Sequence, residues 1–158
     1  MTSDRIEIVR VITTAFSDLD FERFRDALAG ADRLEDLVAS GGSLGALMPK
    51  VIDPAVRIHL HDIHAAHMVG RDFEGWDGWL RFWRSWLEPW ESYSVEFSHW
   101  EEVGDTVLFR LDIEARGRGS GAEVKDKITQ AWTVRDGKVV ELGMYASRRS
   151  ALLHLGHG

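Results

Sequence analysis

The chain of 158 residues contains no cysteine and no uninterrupted apolar run of membrane-spanning length. Without cysteine, the fold cannot depend on disulfides or on thiolate-bound zinc, and a cysteine nucleophile is excluded. Without a long apolar run, and with a charged and periodic N-terminal segment, the sequence predicts neither a membrane-spanning helix nor a signal peptide. We therefore expect a cytoplasmic protein that does not act in membranes.

An excess of positive charge is also lacking, because the formal net charge is −7 and acidic and basic residues are interspersed. This charge disfavours nucleic acid and anionic membrane surfaces as partners. The composition, 44% hydrophobic and 28% charged, is that of an ordinary globular protein. At this length, and without repeats or low-complexity tracts, we expect a single domain over residues 1–158.

Tryptophan, by contrast, is concentrated in residues 74–90, EGWDGWLRFWRSWLEPW, which hold five of the seven tryptophans. Their steps of 3, 4, 3 and 4 residues place them on one face of an amphipathic helix that Pro89 ends. Such a stripe either packs into the core or walls a pocket for a flat apolar molecule. We expect both uses, with Trp76 and Trp90 burying area at the ends and the middle of the helix flanking a cavity.

Helical patterns dominate the first fifty residues. Residues 6–16 have helical spacing, Asp20 can cap a second helix, and residues 31–40 suit a short third one. The following segment GGSLGALMPK, residues 41–50, is rich in glycine and predicts a mobile connection.

The period of the apolar pattern changes to two after Pro54. AVRIHLHD, residues 55–62, alternates apolar and polar side chains and predicts a strand. After the tryptophan helix, four strand-like runs with short turns predict an antiparallel meander, followed by a helix from Arg148 and a frayed tail, HLGHG. These elements indicate an α+β domain in which helices cover one face of an antiparallel sheet. A sheet of this size must curl, and the mouth of the resulting cone is a natural small-molecule site.

Three segments resemble the SnoaL-like (polyketide cyclase-like) branch of the nuclear transport factor 2-like superfamily: FEGWDGWLRFWRSWLEPW, the GRGSG hairpin, and AWTVRDGKVVELGMYASRRSALLHLG. The resemblance covers nearly the whole chain, with an insertion around residues 31–50. It implies a cystatin-like fold, which is a curved antiparallel sheet forming a cone with helices on its concave face, and a homodimer that pairs convex sheet faces. It does not imply one reaction, because the superfamily includes isomerases, cyclases, dehydratases, epoxide hydrolases and plain binding modules.

Histidines are concentrated in the segment IHLHDIHAAH. His59 and His61 share a strand face because they are two residues apart, and Asp62, His64 and His67 follow. His-x-His on a strand begins the metal site of double-stranded helix barrels, but two alanines stand here where those barrels place a glutamate, so we predict no metal. The histidines either face water on an edge strand or supply a general acid or base in the pocket.

A charged pair interrupts the strand TVLFRLDIEA. Arg110 and Asp112 lie on one predicted face, and the opposite face carries the apolar side chains Val107, Phe109, Leu111 and Ile113. The charged face either meets solvent or, as the resemblance implies, lines the cone, with the apolar face as the dimer contact. In the second case Arg110 and Asp112 form a buried arrangement of the kind that shifts pKa values.

Gln130 is the one polar member of an otherwise apolar strand face that includes Trp132. In ketosteroid isomerases and SnoaL-like cyclases, an aspartate stands at the position that Gln130 matches, counting back from RDGK. An amide hydrogen-bonds a substrate oxygen but cannot transfer a proton, so direct ketosteroid isomerase chemistry is not expected. The base aspartate of those isomerases comes from the strand that matches residues 55–62, where a histidine or Asp62 would replace it.

We predict a cone-shaped pocket that binds a small hydrophobic or aromatic molecule without a cofactor. The ligand-binding candidates are Trp79, Phe82, Trp83, Trp86, Gln130, Trp132 and Met144. One hypothesis is a cofactor-independent isomerase, dehydratase or cyclase that moves protons between side chains and substrate. Its catalytic candidates are His59, His61, Asp62, Arg110 and Asp112. The alternative is a non-catalytic ligand-binding or dimerisation module of the same fold.

Overall fold

A computed structural model describes residues 4–63 and 66–156, without the side chains at positions 67 and 68. The helices are α1 (Asp4–Asp18), α2 (Phe21–Gly30), α3 (Asp36–Ser40), α4 (Gly42–Val51), α5 (Ala66–Val69), α6 (Gly75–Leu87) and α7 (Arg148–His154). The strands are β1 (Ile52–Leu60), β2 (Asp72–Glu74), β3 (Trp90–Val103), β4 (Thr106–Gly117), β5 (Glu123–Arg135) and β6 (Lys138–Tyr145). Within the described residues, no helix is long and apolar enough to cross a membrane. The predicted α+β class and the tryptophan helix, α6, are confirmed.

The strands form one curved sheet in the order β2-β1-β6-β5-β4-β3. Strands β3 to β6 make the predicted antiparallel meander. Strand β1 pairs with β6 in parallel, so the expectation of a wholly antiparallel sheet is wrong at this pair. Parallel pairing is possible because α6 and most of the meander connect the two strands and supply the length that a crossover needs.

The concave face of the sheet packs against α1, α2, α4 and α6 to form the main core. Strands β1 and β4 contribute Val56, Ile58, Leu60, Val107, Phe109, Leu111 and Ile113 to this core. The apolar face of β4 is therefore buried within the chain, and its prediction as a dimer contact is wrong. The physical reason is the helical layer, which already covers that face. A homodimer stays a prediction and needs another surface.

The convex face, which we call the outer face, is covered only in part, by the short helix α7. Under this helix lies a second small core formed by Leu108, Ala131, Tyr145 and Ala151. Arg110 and Asp112 lie beside it and form an ion pair of 2.9 Å with side chains 36% and 35% exposed. The prediction that this pair lines the cone is wrong. Successive strand residues alternate between faces, so the β4 side chains between the apolar ones point outwards.

The glycine-rich segment predicted as a mobile connection is helix α4 instead. Gly45 lies against α3, where a β-carbon would come within 2.1 Å of the carbonyl oxygen of Leu37. Glycine here serves the close approach of two short helices rather than chain flexibility. Leu44 and Met48 of α4 enter the main core. The predicted insertion therefore forms part of the helical layer over the cone.

Helix α2 is held at both ends by side chains. The carboxylate of Asp20 accepts a hydrogen bond from the backbone N–H of Arg23 (3.2 Å), which confirms the predicted cap. At the other end, Arg84 of α6 donates from Nε to the carbonyl oxygen of Leu28 (3.0 Å) and from Nη2 to that of Ala31. Carbonyls at a helix C-terminus lack partners within the helix, so this arginine joins α2 to α6 beside the cone.

Candidate functional site

A small apolar cavity lies inside the cone, between the helices and the sheet. Its volume is about 40 Å³, close to the share of about 30 Å³ that one water molecule occupies in the liquid. Trp79 and Trp83 border it from α6, and Gln130 and Trp132 border it from β5. The rest of the wall is mainly aliphatic and aromatic and comes from α1, α2, α4, β3 and β4. The structure thus brings these four predicted pocket residues together, and their role in binding stays a prediction.

The five tryptophans of residues 74–90 differ in the hydrogen bonds of their indole N–H groups. Trp90 begins β3, so the prediction that it lies at the end of the helix is wrong. Those of Trp76, Trp86 and Trp90 donate to protein oxygens at distances of 2.9 to 3.0 Å. The N–H groups of Trp79 and Trp83 are buried and have no hydrogen-bond partner among the described residues. Buried donors are normally satisfied, so two unpaired donors at one cavity indicate room for an acceptor.

Three predicted pocket residues are core residues instead. Phe82, Trp86 and Met144 are buried, but the cavity wall does not include them. The rings of Phe82 and Trp86 stack with their centroids 5.6 Å apart. About one turn of α6, from Trp79 to Trp83, borders the cavity, and the following turn packs into the core. The prediction that Phe82, Trp86 and Met144 line the pocket is therefore wrong.

Gln130 is fixed in the cavity wall by its neighbour two residues along β5. Its Oε1 accepts a hydrogen bond from the indole N–H of Trp132 (2.9 Å), and the residue is 2% exposed. Tyr93 is the only titratable residue among the described residues that line the cavity. Burial raises the pKa of Tyr93, so its hydroxyl stays neutral. The described residues of the cavity wall therefore offer hydrogen bonds, and Tyr93 is neutral near pH 7.

A wider groove on the surface ends against the cavity. It has a volume of about 730 Å³ and lies between α1, α2 and the start of α4. Phe24 and Leu44 border both spaces, so their side chains belong to the wall between groove and cavity.

The predicted catalytic histidines lie on the outer face, away from the cavity. Ile58 and Leu60 of β1 point into the core, so His59 between them points outwards, and His61 follows on the same side. Asp62 is also outside the cone and accepts a hydrogen bond from a backbone N–H near the start of α7 (2.9 Å). The prediction that these side chains act in the pocket is wrong, because the sheet itself separates them from it.

Glu141, His59 and His61 form a hydrogen-bonded chain across β6 and β1. Oε1 of Glu141 lies 2.5 Å from Nε2 of His59, and Nδ1 of His59 lies 2.5 Å from Nε2 of His61. His154, the last residue of α7, lies beside this chain with its ring centroid 4.1 Å from that of His61. The ring of Tyr145 stacks on His61 at 4.6 Å with an interplanar angle of 4°. We call these five residues the outer cluster.

Hydrogen bonding and burial set the charges in the outer cluster. The hydrogen bond with His59 lowers the pKa of Glu141 against the opposing effect of burial, so the carboxylate is ionised. Burial lowers the pKa of His61, and the adjacent His59 and His154 lower it further. Burial raises the pKa of Tyr145, whose hydroxyl has no hydrogen-bond partner among the described residues. The cluster thus combines a carboxylate anion with a neutral imidazole and a neutral phenol.

Comparison with known proteins identifies the family. The model of the SnoaL-like domain family matches residues 9–142. The chain belongs to the SnoaL-like domain family. No curated protein matches it in sequence.

Solved structures are similar to this SnoaL-like domain over almost its whole length. TerC, co-crystallised with polyporic acid, is 18% identical with a TM-score of 0.63, and the similarity covers 97% of each chain. An NTF2-like protein from Burkholderia pseudomallei is 16% identical with a TM-score of 0.64, over 96% of this chain and 97% of that one. A Jannaschia protein described as a SnoaL-like polyketide cyclase is 17% identical with a TM-score of 0.61, over 94% and 89%. These structures confirm the predicted fold.

The sequence of this SnoaL-like domain did not point to three members of the outer cluster, which are Glu141, Tyr145 and His154. Glu141 shares a face of β6 with Tyr145, a pattern that gains meaning only once β6 is known to pair with β1. His154 falls in the segment predicted to fray, yet it ends α7 over the sheet. His64, predicted to follow the histidine strand, lies outside the described residues, as does the side chain of His67.

Proposed function

We propose that this SnoaL-like domain binds a small hydrophobic molecule inside the cone and holds one of its oxygen atoms with indole N–H groups. The observation that carries this proposal is the pair of buried, unpaired donors of Trp79 and Trp83 at the cavity. A buried donor without a partner costs about 1–3 kcal/mol, which an acceptor on the ligand would recover. A carbonyl, hydroxyl or ether oxygen is such an acceptor.

The aromatic walls favour a flat ring as the apolar part of the ligand. The ring of Trp79 meets those of Trp83 and Trp132 edge-on, with centroids 5.9 and 5.8 Å away. Edge-to-face contacts of this kind are a favoured geometry for aromatic pairs, and a ring placed among them can make the same contacts. TerC, which shares the fold, was co-crystallised with polyporic acid, and this supports ligand binding as a use of the fold.

Ligand entry requires the cavity to enlarge, because about 40 Å³ does not hold an organic ring. The groove beside it, at about 730 Å³, has ample space. Phe24 and Leu44 belong to the wall between the two, and side-chain rotation there would join them. We therefore propose that the ligand enters between α2 and the start of α4.

Binding without turnover is the function that this geometry supports best. An acid–base isomerase, dehydratase or cyclase needs a group within hydrogen-bond reach of the substrate that titrates near the working pH. Among the described residues, the only titratable side chain of the cavity wall is the neutral Tyr93, and the acidic side chains of the groove (Glu7, Asp18 and Asp20) do not border the cavity. The enzyme hypothesis stays a prediction for which no base has been located.

The test is titration with a steroid ketone such as progesterone, with binding monitored by the change in tryptophan fluorescence. The variant Trp83→Phe keeps an aromatic ring and removes the unpaired N–H, and we expect about 2- to 10-fold weaker binding. The matched control is Trp76→Phe, which removes an N–H that donates to the carbonyl of Ile52 away from the cavity. Its affinity for the ketone should equal that of the unchanged protein.

A second ligand makes the test sharper. A hydrocarbon of similar size without oxygen should bind Trp83→Phe and the unchanged protein equally, because it makes no hydrogen bond with either. Absence of ketone binding, or equal losses in Trp83→Phe and Trp76→Phe, would contradict the proposal.

A further inference from the structure

Histidines converge on the outer face at a place that ligand binding in the cone does not use. One ligand nitrogen from each of His59, His61 and His154 lies within 4.8 Å of the other two. We propose that these three histidines bind a divalent transition-metal ion of the zinc type, with Glu141 as the carboxylate that orients His59. The sheet separates this site from the cavity, so the inference does not depend on the proposed function.

Glu141 determines which nitrogen of His59 is free to bind an ion. Nε2 of His59 donates to the carboxylate, so in the neutral ring Nδ1 carries the lone pair. That lone pair points towards Nε2 of His61, 2.5 Å away. Metal-ligating histidines almost always donate their other N–H to a carboxylate, a carbonyl or water, which fixes the ring and increases its basicity. The pair of Glu141 and His59 already has this arrangement.

The three nitrogens need a modest rearrangement to coordinate an ion. Zinc–imidazole bonds of about 2.0–2.1 Å place the nitrogens of a tetrahedral site roughly 3.4 Å apart. The contact between His59 and His61 is shorter than this, and the widest separation in the group is at most 4.8 Å. An ion would part the first pair and draw His154 inwards. His154 is exposed at the end of α7, so it can move without disturbing the core.

The charges around the three imidazoles favour a cation. Asp62 and Asp72 both act electrostatically on His61, and Glu141 contacts His59 directly. Arg57 and Arg135 are basic side chains that act electrostatically on Glu141. Three carboxylates against two guanidinium groups leave a surplus of one negative charge, which a bound divalent ion would offset.

A tetrahedral ion held by the three histidines would take a fourth ligand such as water, because three protein ligands leave the fourth position open. The hydroxyl of Tyr145 lies beside the cluster, buried and without a hydrogen-bond partner among the described residues. Gly143 makes this packing possible, because a β-carbon there would come within 2.8 Å of both the His59 ring and the Tyr145 hydroxyl. A metal-bound water is the kind of group that this hydroxyl would hydrogen-bond.

The test is calorimetric titration of the chelator-treated protein with Zn²⁺, for which we expect one ion per chain. His154→Ala removes an exposed ligand and should weaken binding at least tenfold, while its circular dichroism spectrum stays unchanged. Glu141→Gln should weaken binding about 10- to 100-fold. The matched control is His99→Ala, since His99 is an exposed histidine on β3 outside the cluster. It should bind Zn²⁺ like the unchanged protein.

Visible absorption of the Co²⁺-loaded protein adds a readout that reports coordination itself. A band typical of tetrahedral Co²⁺ should appear at one equivalent, persist in His99→Ala and disappear in His154→Ala. The inference is overturned if no stoichiometric ion binds. It is equally overturned if His154→Ala and His99→Ala bind Zn²⁺ with the same affinity, because the ion would then be held elsewhere.

Discussion

The two faces of the sheet carry opposite kinds of side chain on the same strands. The inner face borders a cavity with rings and neutral hydrogen-bonding groups, and Trp132 and Gln130 of β5 are examples. The outer face carries ionisable groups in contact with water, among them Glu141 and three histidines. Ile58 and His59 are neighbours in sequence, but Ile58 enters the main core and His59 the outer cluster, because side chains alternate along a strand.

This difference shows why chemical groups that are close in sequence need not share a site. The acid–base hypothesis required a histidine of β1 and the indoles of α6 to meet the same molecule. The sheet lies between the two groups, so one molecule in the cavity cannot contact both the indole N–H groups and the histidines. Ligand binding and metal binding can therefore be tested independently, one on each face.

The largest loss of stability is expected for a substitution in the core on the inner face. Phe82→Ala removes a fully buried ring that does not border the cavity and should lower the free energy of unfolding by about 3–5 kcal/mol. Trp83→Ala removes a half-buried ring that borders the cavity, and it should cost less because part of that ring already lacks packing partners. Urea denaturation measures both values. An equal or larger cost for Trp83→Ala would mean that the cavity is not a gap in the packing.

A smaller effect is expected on the outer face at Gly143. In Gly143→Ala, the new methyl group would meet the His59 ring and the Tyr145 ring and hydroxyl at 2.8 Å. Overpacking of this kind typically costs about 1–3 kcal/mol, and it should also disturb the outer cluster. Gly30→Ala is the matched control, because a β-carbon at position 30 meets no atom within 4 Å. Thermal unfolding should show a loss for the first variant and none for the second, and equal behaviour would contradict the packing of the cluster over Gly143.

The smallest effect concerns the ion pair that ties α7 to the edge of the outer face. Arg148 donates to both carboxylate oxygens of Glu101, at 2.5 and 2.9 Å, and this lowers the pKa of Glu101. A lowered pKa in the folded state stabilises the fold above the unfolded value of about 4.3, and the gain is lost as the pH falls through the folded value. Glu101→Gln should therefore be slightly less stable than the unchanged protein at pH 7, and the difference should vanish in acid. A difference that persists at pH 3 would show that the effect is not electrostatic.

The existence of most elements follows from local patterns. The 3-4 spacing of the tryptophans predicted α6, and Asp20 predicted the start of α2. Alternation predicted the strands, and short turns predicted their antiparallel order. The prediction failed at residues 41–50, because glycine that permits two helices to pack closely looks in sequence like glycine that permits a loop.

The candidate site was predictable only in part, since it depends on which face of each strand meets the helices. Trp79, Trp83, Gln130 and Trp132 reach the cavity as predicted, because apolar side chains at helical or alternating spacing must turn towards a core. For Arg110 and Asp112 the sequence left two alternatives open, solvent or the cone, and the structure places the pair on the solvent-facing outer face rather than in the cone that the resemblance implied.

The sequence by itself determined the family, the α+β class, and the division of each strand into an apolar and a polar face. These properties depend on residues close together in the chain, where spacing alone sets direction. Only the tertiary structure decided that the polar face of β1 points away from the cone and meets Glu141 of β6 and His154 of α7. These residues are brought together across roughly half the chain by a parallel strand pair and a helix end, and no local pattern encodes such a meeting.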